Sequence, residues 1–140
     1  MDFGAIITLV KAFFGPLFQL KKTRKEEVAA YLDEIAVALE KVPAGIRNGE
    51  PFEKLMGVGK EVAMLAEKFD GVTKDVLDAD ERAEFVSLLQ QASNAKVLLV
   101  SAGTLDGGQE KLATIADAIG AIRGVATSLR GSASQLVGDI

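Results

Sequence analysis

The run Gly57-Val58-Gly59-Lys60 is the part of this sequence closest to a phosphate-binding loop. It lacks the first glycine at the spacing such a loop needs, and Glu61 stands where a Ser or Thr hydroxyl would hold magnesium. It also falls inside a run with helical apolar spacing, so small residues at a helix contact are the better reading. A second cluster, Asp78, Asp80, Glu81 and Glu84, is dense in carboxylates. It has neither the glycine nor the twelve-residue spacing of a calcium loop. Acidic side chains at the start of a helix, favoured by the helix dipole, account for it. Ser87 and Ser93 have no histidine to activate them, because the chain contains none. A di-iron bundle is excluded on the same ground, since it needs Glu-x-x-His pairs. There are no cysteines either, which removes thiol catalysis, thiolate metal sites and disulfides. No catalytic residues, no metal site and no cofactor are expected, and the chain does not read as an enzyme.

The elements around these residues point to surfaces. At 140 residues with 49% apolar and 26% charged side chains, the chain is sized for one domain with a substantial core. The net charge of −4 is unevenly spread. Residues Met1–Lys25 carry Lys11, Lys21, Lys22, Arg24 and Lys25 against Asp2 alone, which is +4, so the remainder carries −8. A basic, apolar N-terminus on an acidic body suits a membrane or an acidic partner. It suits nucleic acid poorly, because the body repels phosphate.

From Phe3 to Leu20 the chain is almost wholly apolar: Phe3, Ile6, Ile7, Leu9, Val10, Phe13, Phe14, Leu17, Phe18 and Leu20. Gly15-Pro16 is expected to kink or split this helix. A signal peptide is disfavoured, because the basic residues follow the apolar run. About 18 residues barely span the hydrocarbon of a bilayer, and Lys11 sits mid-span. Two further states remain open: a helix buried in the bundle, or one that docks on the bundle at rest and enters a bilayer on release. In the latter case the rest of the bundle is expected to stay folded without it.

Thr23-x-x-Glu26 reads as a capping box for a second helix, with Val28, Tyr31, Leu32, Ile35, Leu39 and Val42 on one stripe and Pro43 at its end. Gly45 to Gly49 reads as loop. Pro51 opens a third helix, striped by Phe52, Leu55, Val58, Val62, Leu65 and Phe69 and capped by Gly71. Asp78-x-x-Glu81 opens a fourth, with Phe85, Leu88, Ala92, Ala95, Leu99 and Ala102 in its seam. Asp106-x-x-Gln109 caps a fifth, with Leu112, Ile115, Ile119, Ile122, Ala126 and Leu129. On that helix Ala116-x-x-x-Gly120-x-x-x-Gly124 lines small residues on one face, which allows close helix pairing in a membrane or, the preferred reading, tight packing inside the bundle. The expected fold is all-α: an antiparallel up-down four-helix bundle over residues 23–130, an additional apolar N-terminal helix over residues 1–22, and a flexible tail over residues 131–140. Leu32, Ile35, Leu55, Val62, Leu65, Leu88, Leu99, Ile115, Ile119 and Ile122 are the expected core.

The opening Met-Asp-Phe-Gly-Ala-Ile-Ile-Thr-Leu-Val, the basic run after it and the long amphipathic helices resemble cell-death four-helix bundles. This group includes the fungal HeLo domains, the N-terminal bundle of the necroptosis pseudokinase MLKL and plant resistance-protein coiled-coil domains. Their bacterial counterparts, the Bell domains, are the nearest match in pattern. The resemblance covers most of residues 1–130 and implies a membrane-targeting cell-death effector of bacterial immunity that acts after homo-oligomerisation. It implies that Phe3, Ile6, Ile7, Val10, Phe13, Phe14, Leu17 and Phe18 are membrane-active and that Lys21, Lys22, Arg24 and Lys25 meet anionic lipid. Its partners would be membrane lipids, further copies of the chain and an upstream sensor. The protein would rest in the cytoplasm and act at the inner face of the plasma membrane. The alternative is a soluble helical-bundle adaptor without membrane activity.

Overall fold

A computed structural model describes residues 4–49, 51–92 and 107–138. Among these residues the chain is all-helical: α1 (Gly4–Phe18), α2 (Lys22–Arg47), α3 (Phe52–Val72), α4 (Ala79–Ala92) and α5 (Gly107–Gly138), with no strand. The helices form where apolar residues recur at three- and four-residue intervals, and the resulting stripes are the ones buried. Val28, Leu32, Ile35, Leu39 and Val42 from α2 are buried, as are Leu55, Val62, Leu65 and Phe69 from α3 and Phe85, Leu88 and Leu89 from α4. From α5 the buried stripe is Ile115, Ile119, Ile122, Ala126 and Leu129. Every residue of the expected core is buried except Leu99, which lies outside the described residues.

The principal packing runs in a cycle, α1 on α5, α5 on α2, α2 on α3, α3 on α4 and α4 back on α1. In that cycle α3 lies across the bundle from the α1/α5 seam. Ion pairs tie neighbouring helices at their solvent edges. Arg123 meets Glu40 at 2.7 Å and Arg130 meets Asp33, joining α5 to α2, while Lys41 meets Glu61 at 3.4 Å, joining α2 to α3. Arg82 is buried and donates to the Leu77 carbonyl at 3.2 Å and the Asp70 carboxylate at 2.8 Å, which closes the turn between α3 and α4.

The helix ends differ from the sequence expectation in several places, each for a local reason. Helix α2 starts at Lys22, so Thr23 lies within its first turn. It also runs through Pro43 to Arg47, where a stop and a loop were expected. Proline costs a helix interior about 3 kcal/mol, and packing overrides that cost here, because Val42, Pro43 and Gly45 are all buried. The chain turns instead at Gly49, whose φ of 66° is the left-handed conformation that glycine adopts without strain. Helix α3 passes Gly71 and is capped by the buried Thr73, whose N–H and hydroxyl both donate to the Phe69 carbonyl. The expected tail at 131–140 is helical as far as Gly138. Gly131 costs the helix only about 1 kcal/mol and no proline follows, so a helix already held by α1 and α2 continues.

Asp78 behaves as the sequence indicates. Its carboxylate accepts from the N–H groups of Asp80 at 2.8 Å and Glu81 at 3.3 Å, two donors that the first turn of α4 leaves unpaired. Asp78→Ala should lower stability by about 1 kcal/mol in urea unfolding, and Asp78→Asn should restore most of it.

Candidate membrane-active segment

Helix α1 is built from fifteen residues of which only Lys11 is charged. Ile6, Leu9, Val10, Phe13 and Leu17 form a single stripe and are buried. Phe13 reaches furthest inward. Its ring lies 5.3 Å from Phe85 in an edge-on arrangement and 6.1 Å from Phe69, and those two rings are 5.2 Å apart. Three helices therefore meet at one aromatic cluster, a geometry favoured by the ring quadrupoles.

Gly15-Pro16 does not split α1. Pro16 sits in the last turn, and both it and Ala12, whose carbonyl loses its usual donor, are exposed. Water can satisfy that carbonyl, so no buried polar group is orphaned. The end closes with tighter bonds, from the Gln19 N–H to the Pro16 carbonyl at 3.3 Å and from the Leu20 N–H to the Leu17 carbonyl at 3.1 Å.

The expected membrane-active residues thus divide. Ile6, Val10, Phe13 and Leu17 are in the core, Ile7 and Phe14 are half-buried, and Phe18 is 40% exposed. Phe3 lies outside the described residues. The Phe14 and Phe18 rings meet in a tilted arrangement at 5.0 Å on the outer side. The basic residues divide as well. Lys21 and Lys22 are exposed. Arg24 donates to the Val72 carbonyl at 2.8 Å and to Asp75 at 2.7 Å, so it pins the start of α2 to the turn after α3. Lys25 is buried, with its ammonium 4.6 Å from the centre of the Phe18 ring, within cation–π range.

The structure adds Ala121, Val125 and Ser128, which the sequence reading did not assign. A groove of about 450 Å³ runs between α1 and α5, lined by Lys11, Phe14, Ala121, Gly124, Val125 and Ser128. Ala116, Gly120 and Gly124 were expected to pack tightly inside the bundle, but all three are exposed, and a Cβ at Gly120 or Gly124 would meet nothing within 4 Å. Their partners on the buried side of α5 are the larger Ile115, Ile119 and Ile122, which already fill the contact. The spacing did mark a distinct face of α5, but that face points outward. A second groove, between α2 and α3, is lined by Asp33, Glu34, Val37, Glu61, Met64 and Leu65.

Gly57-Val58-Gly59-Lys60 lies within α3 and not in a loop. Among the described residues no three metal-ligating side chains converge, and no helix is long and apolar enough to cross a membrane. Helix α1 rises about 22 Å at 1.5 Å per residue, against the ~30 Å of a bilayer's hydrocarbon. No family model, curated protein or solved structure matches this chain.

Proposed function

We propose that this protein is a membrane-targeting cell-death effector domain that permeabilises bilayers through α1 after assembling with further copies of itself. In this reading α2, α3, α4 and α5 form an antiparallel up-down bundle and α1 is the additional helix, held between α4 and α5 at rest. One observation carries the reading. The solvent side of α1, comprising Thr8, Lys11, Ala12, Gly15, Pro16 and Phe18, bears a single charge, and exposed Lys21 and Lys22 follow directly. A solvent side with one charge and an exposed ring is less polar than a one-sided bundle contact requires. The flanking cations suit anionic headgroups, with an upstream sensor supplying the trigger and the inner face of the plasma membrane the target.

The soluble adaptor is the second reading. It is favoured by the depth at which Phe13 is built into the core and by the α2/α3 groove, where Val37 and Met64 are exposed.

The full chain added to dye-filled anionic vesicles separates the two. Leakage is expected, and Lys21→Gln with Lys22→Gln should weaken vesicle binding roughly 30-fold, at about 1 kcal/mol per charge, with circular dichroism unchanged. A folded chain that releases no dye at any lipid composition leaves the adaptor reading standing.

A further inference from the structure

The cycle of helices separates charge across the bundle. Residues 4–21 and 107–138, which hold α1 and α5, contain five basic residues against two acidic, a net +3. The remaining described residues, 22–49 and 51–92, contain ten basic against fourteen acidic, a net −4. Packing of α1 on α5 places the cationic share on one side, and α3 lies across from it. Arg123 and Arg130 of α5 turn toward α2, where Glu40 and Asp33 receive them. Lys11, Lys21 and Lys22 are exposed and have no ion-pair partner among the described residues. Among the described side chains of α5, Asp117 is the exposed acid, about 10 Å along the helix from Gly124.

The apolar features of this side coincide with its cations. Phe14 and Val125 line the α1/α5 groove together with Ala121 and Gly124, and Lys11 stands at its edge. Phe18 extends the apolar surface by one turn, tilted against Phe14 and three residues before Lys21. Aromatic rings beside lysines suit the boundary between headgroups and acyl chains, where rings enter the apolar layer and ammonium groups stay with phosphate. The α2/α3 groove has the opposite character, since Asp33, Glu34 and Glu61 rim its apolar centre.

We propose that the α1/α5 groove, with the Phe14–Phe18 pair and with Lys11, Lys21 and Lys22 around it, is the face by which the intact bundle lies on an anionic lipid surface. This rests on the membrane reading above and adds a step to it: docking precedes release of α1 and uses α5 residues as well. Charge complementarity selects the occupant, because Lys11, Lys21 and Lys22 are left to meet the lipid while Asp33, Glu34 and Glu61 of the α2/α3 side are held away.

The absence of cysteine allows single labels. Ser128→Cys, carrying an environment-sensitive dye, reports from the groove, and Met64→Cys reports from the α2/α3 side. On vesicles of phosphatidylglycerol and phosphatidylcholine the dye at 128 should shift to the blue while the dye at 64 does not. Pure phosphatidylcholine should shift neither. Gly124→Asp has room for its side chain and should weaken anionic-vesicle binding about fivefold without changing helix content. A chain that binds vesicles with position 128 still in water, or with both positions shifted alike, overturns the docking face and leaves the membrane reading intact. A chain that binds no vesicle removes both. Sedimentation supplies the remaining control: a dimer in solution that Gly124→Asp dissociates would assign the groove to a second copy instead of lipid.

Discussion

Removal of residues 1–21 is expected to abolish cooperative unfolding and not to leave a smaller, stable bundle. The sequence alone suggested the opposite, that the rest would stay folded without its apolar leader. The structure changes that expectation because α1 closes the cycle of helices between α4 and α5. Each of Ile6, Leu9, Val10, Phe13 and Leu17 is buried, and each such burial contributes about 1.5–3 kcal/mol. Their partners lose cover too, Phe69 and Phe85 among them. Domains of this size are stable by only about 5–15 kcal/mol in total. The shortened chain should retain helical circular dichroism, bind a hydrophobic dye and melt without a sharp transition. A sharp, reversible transition with native-like urea dependence would show that the other helices form their own complete core.

The second large effect belongs to a single ring. Phe13→Ala should cost about 3–5 kcal/mol, because it leaves a cavity between Phe69 and Phe85 that neither can refill. In a chain of 140 residues that corresponds to a fall in melting temperature of about 6–20 °C. Phe18→Ala, five residues later and on the exposed side, should stay within about 1 kcal/mol of the parent. Equal losses at the two positions would contradict the assignment of the inner and outer sides of α1. The contrast also bears on function. Undocking the whole of α1 exposes all five of its buried side chains, so it costs more than the loss of Phe13 alone, and a bilayer or a second copy must supply the difference.

The fold was legible where one strong signal acted alone. Ile35, Val62 and Ile122 lie at the centre of long 3.6-residue stripes, and no local feature competes with burial there. Asp78 was legible because its carboxylate meets donors only two and three residues away. The helix ends were less so, because Pro43 and Gly71 are local breakers whose modest cost was overridden by contacts with distant residues. The two faces of α1 could not be separated from sequence, since Phe13 and Phe14 are chemically identical and only the positions of Phe69 and Phe85 decide which one turns inward. Ala116, Gly120 and Gly124 were recognisable as a set, but the direction they face is fixed by α1 and α2, which no local pattern encodes. Arg24 and Lys25 read as part of a free basic run. Their partners, Asp75 and Phe18, lie 51 residues ahead in one case and on the preceding helix in the other.

The packing of α1 against α5 also sets an order of events on the ribosome. Roughly 90 residues separate the end of α1 from the start of α5, which at ordinary rates of synthesis is a delay of about 5–20 s. The most apolar of the described helices therefore emerges before the others and meets its main partner last. Phe69 and Phe85 reach Phe13 earlier, but throughout that interval the side of α1 that packs on α5 lacks the surface that finally covers it. A nascent chain in this state offers a chaperone, or a nearby bilayer, first access to the segment that the finished bundle hides.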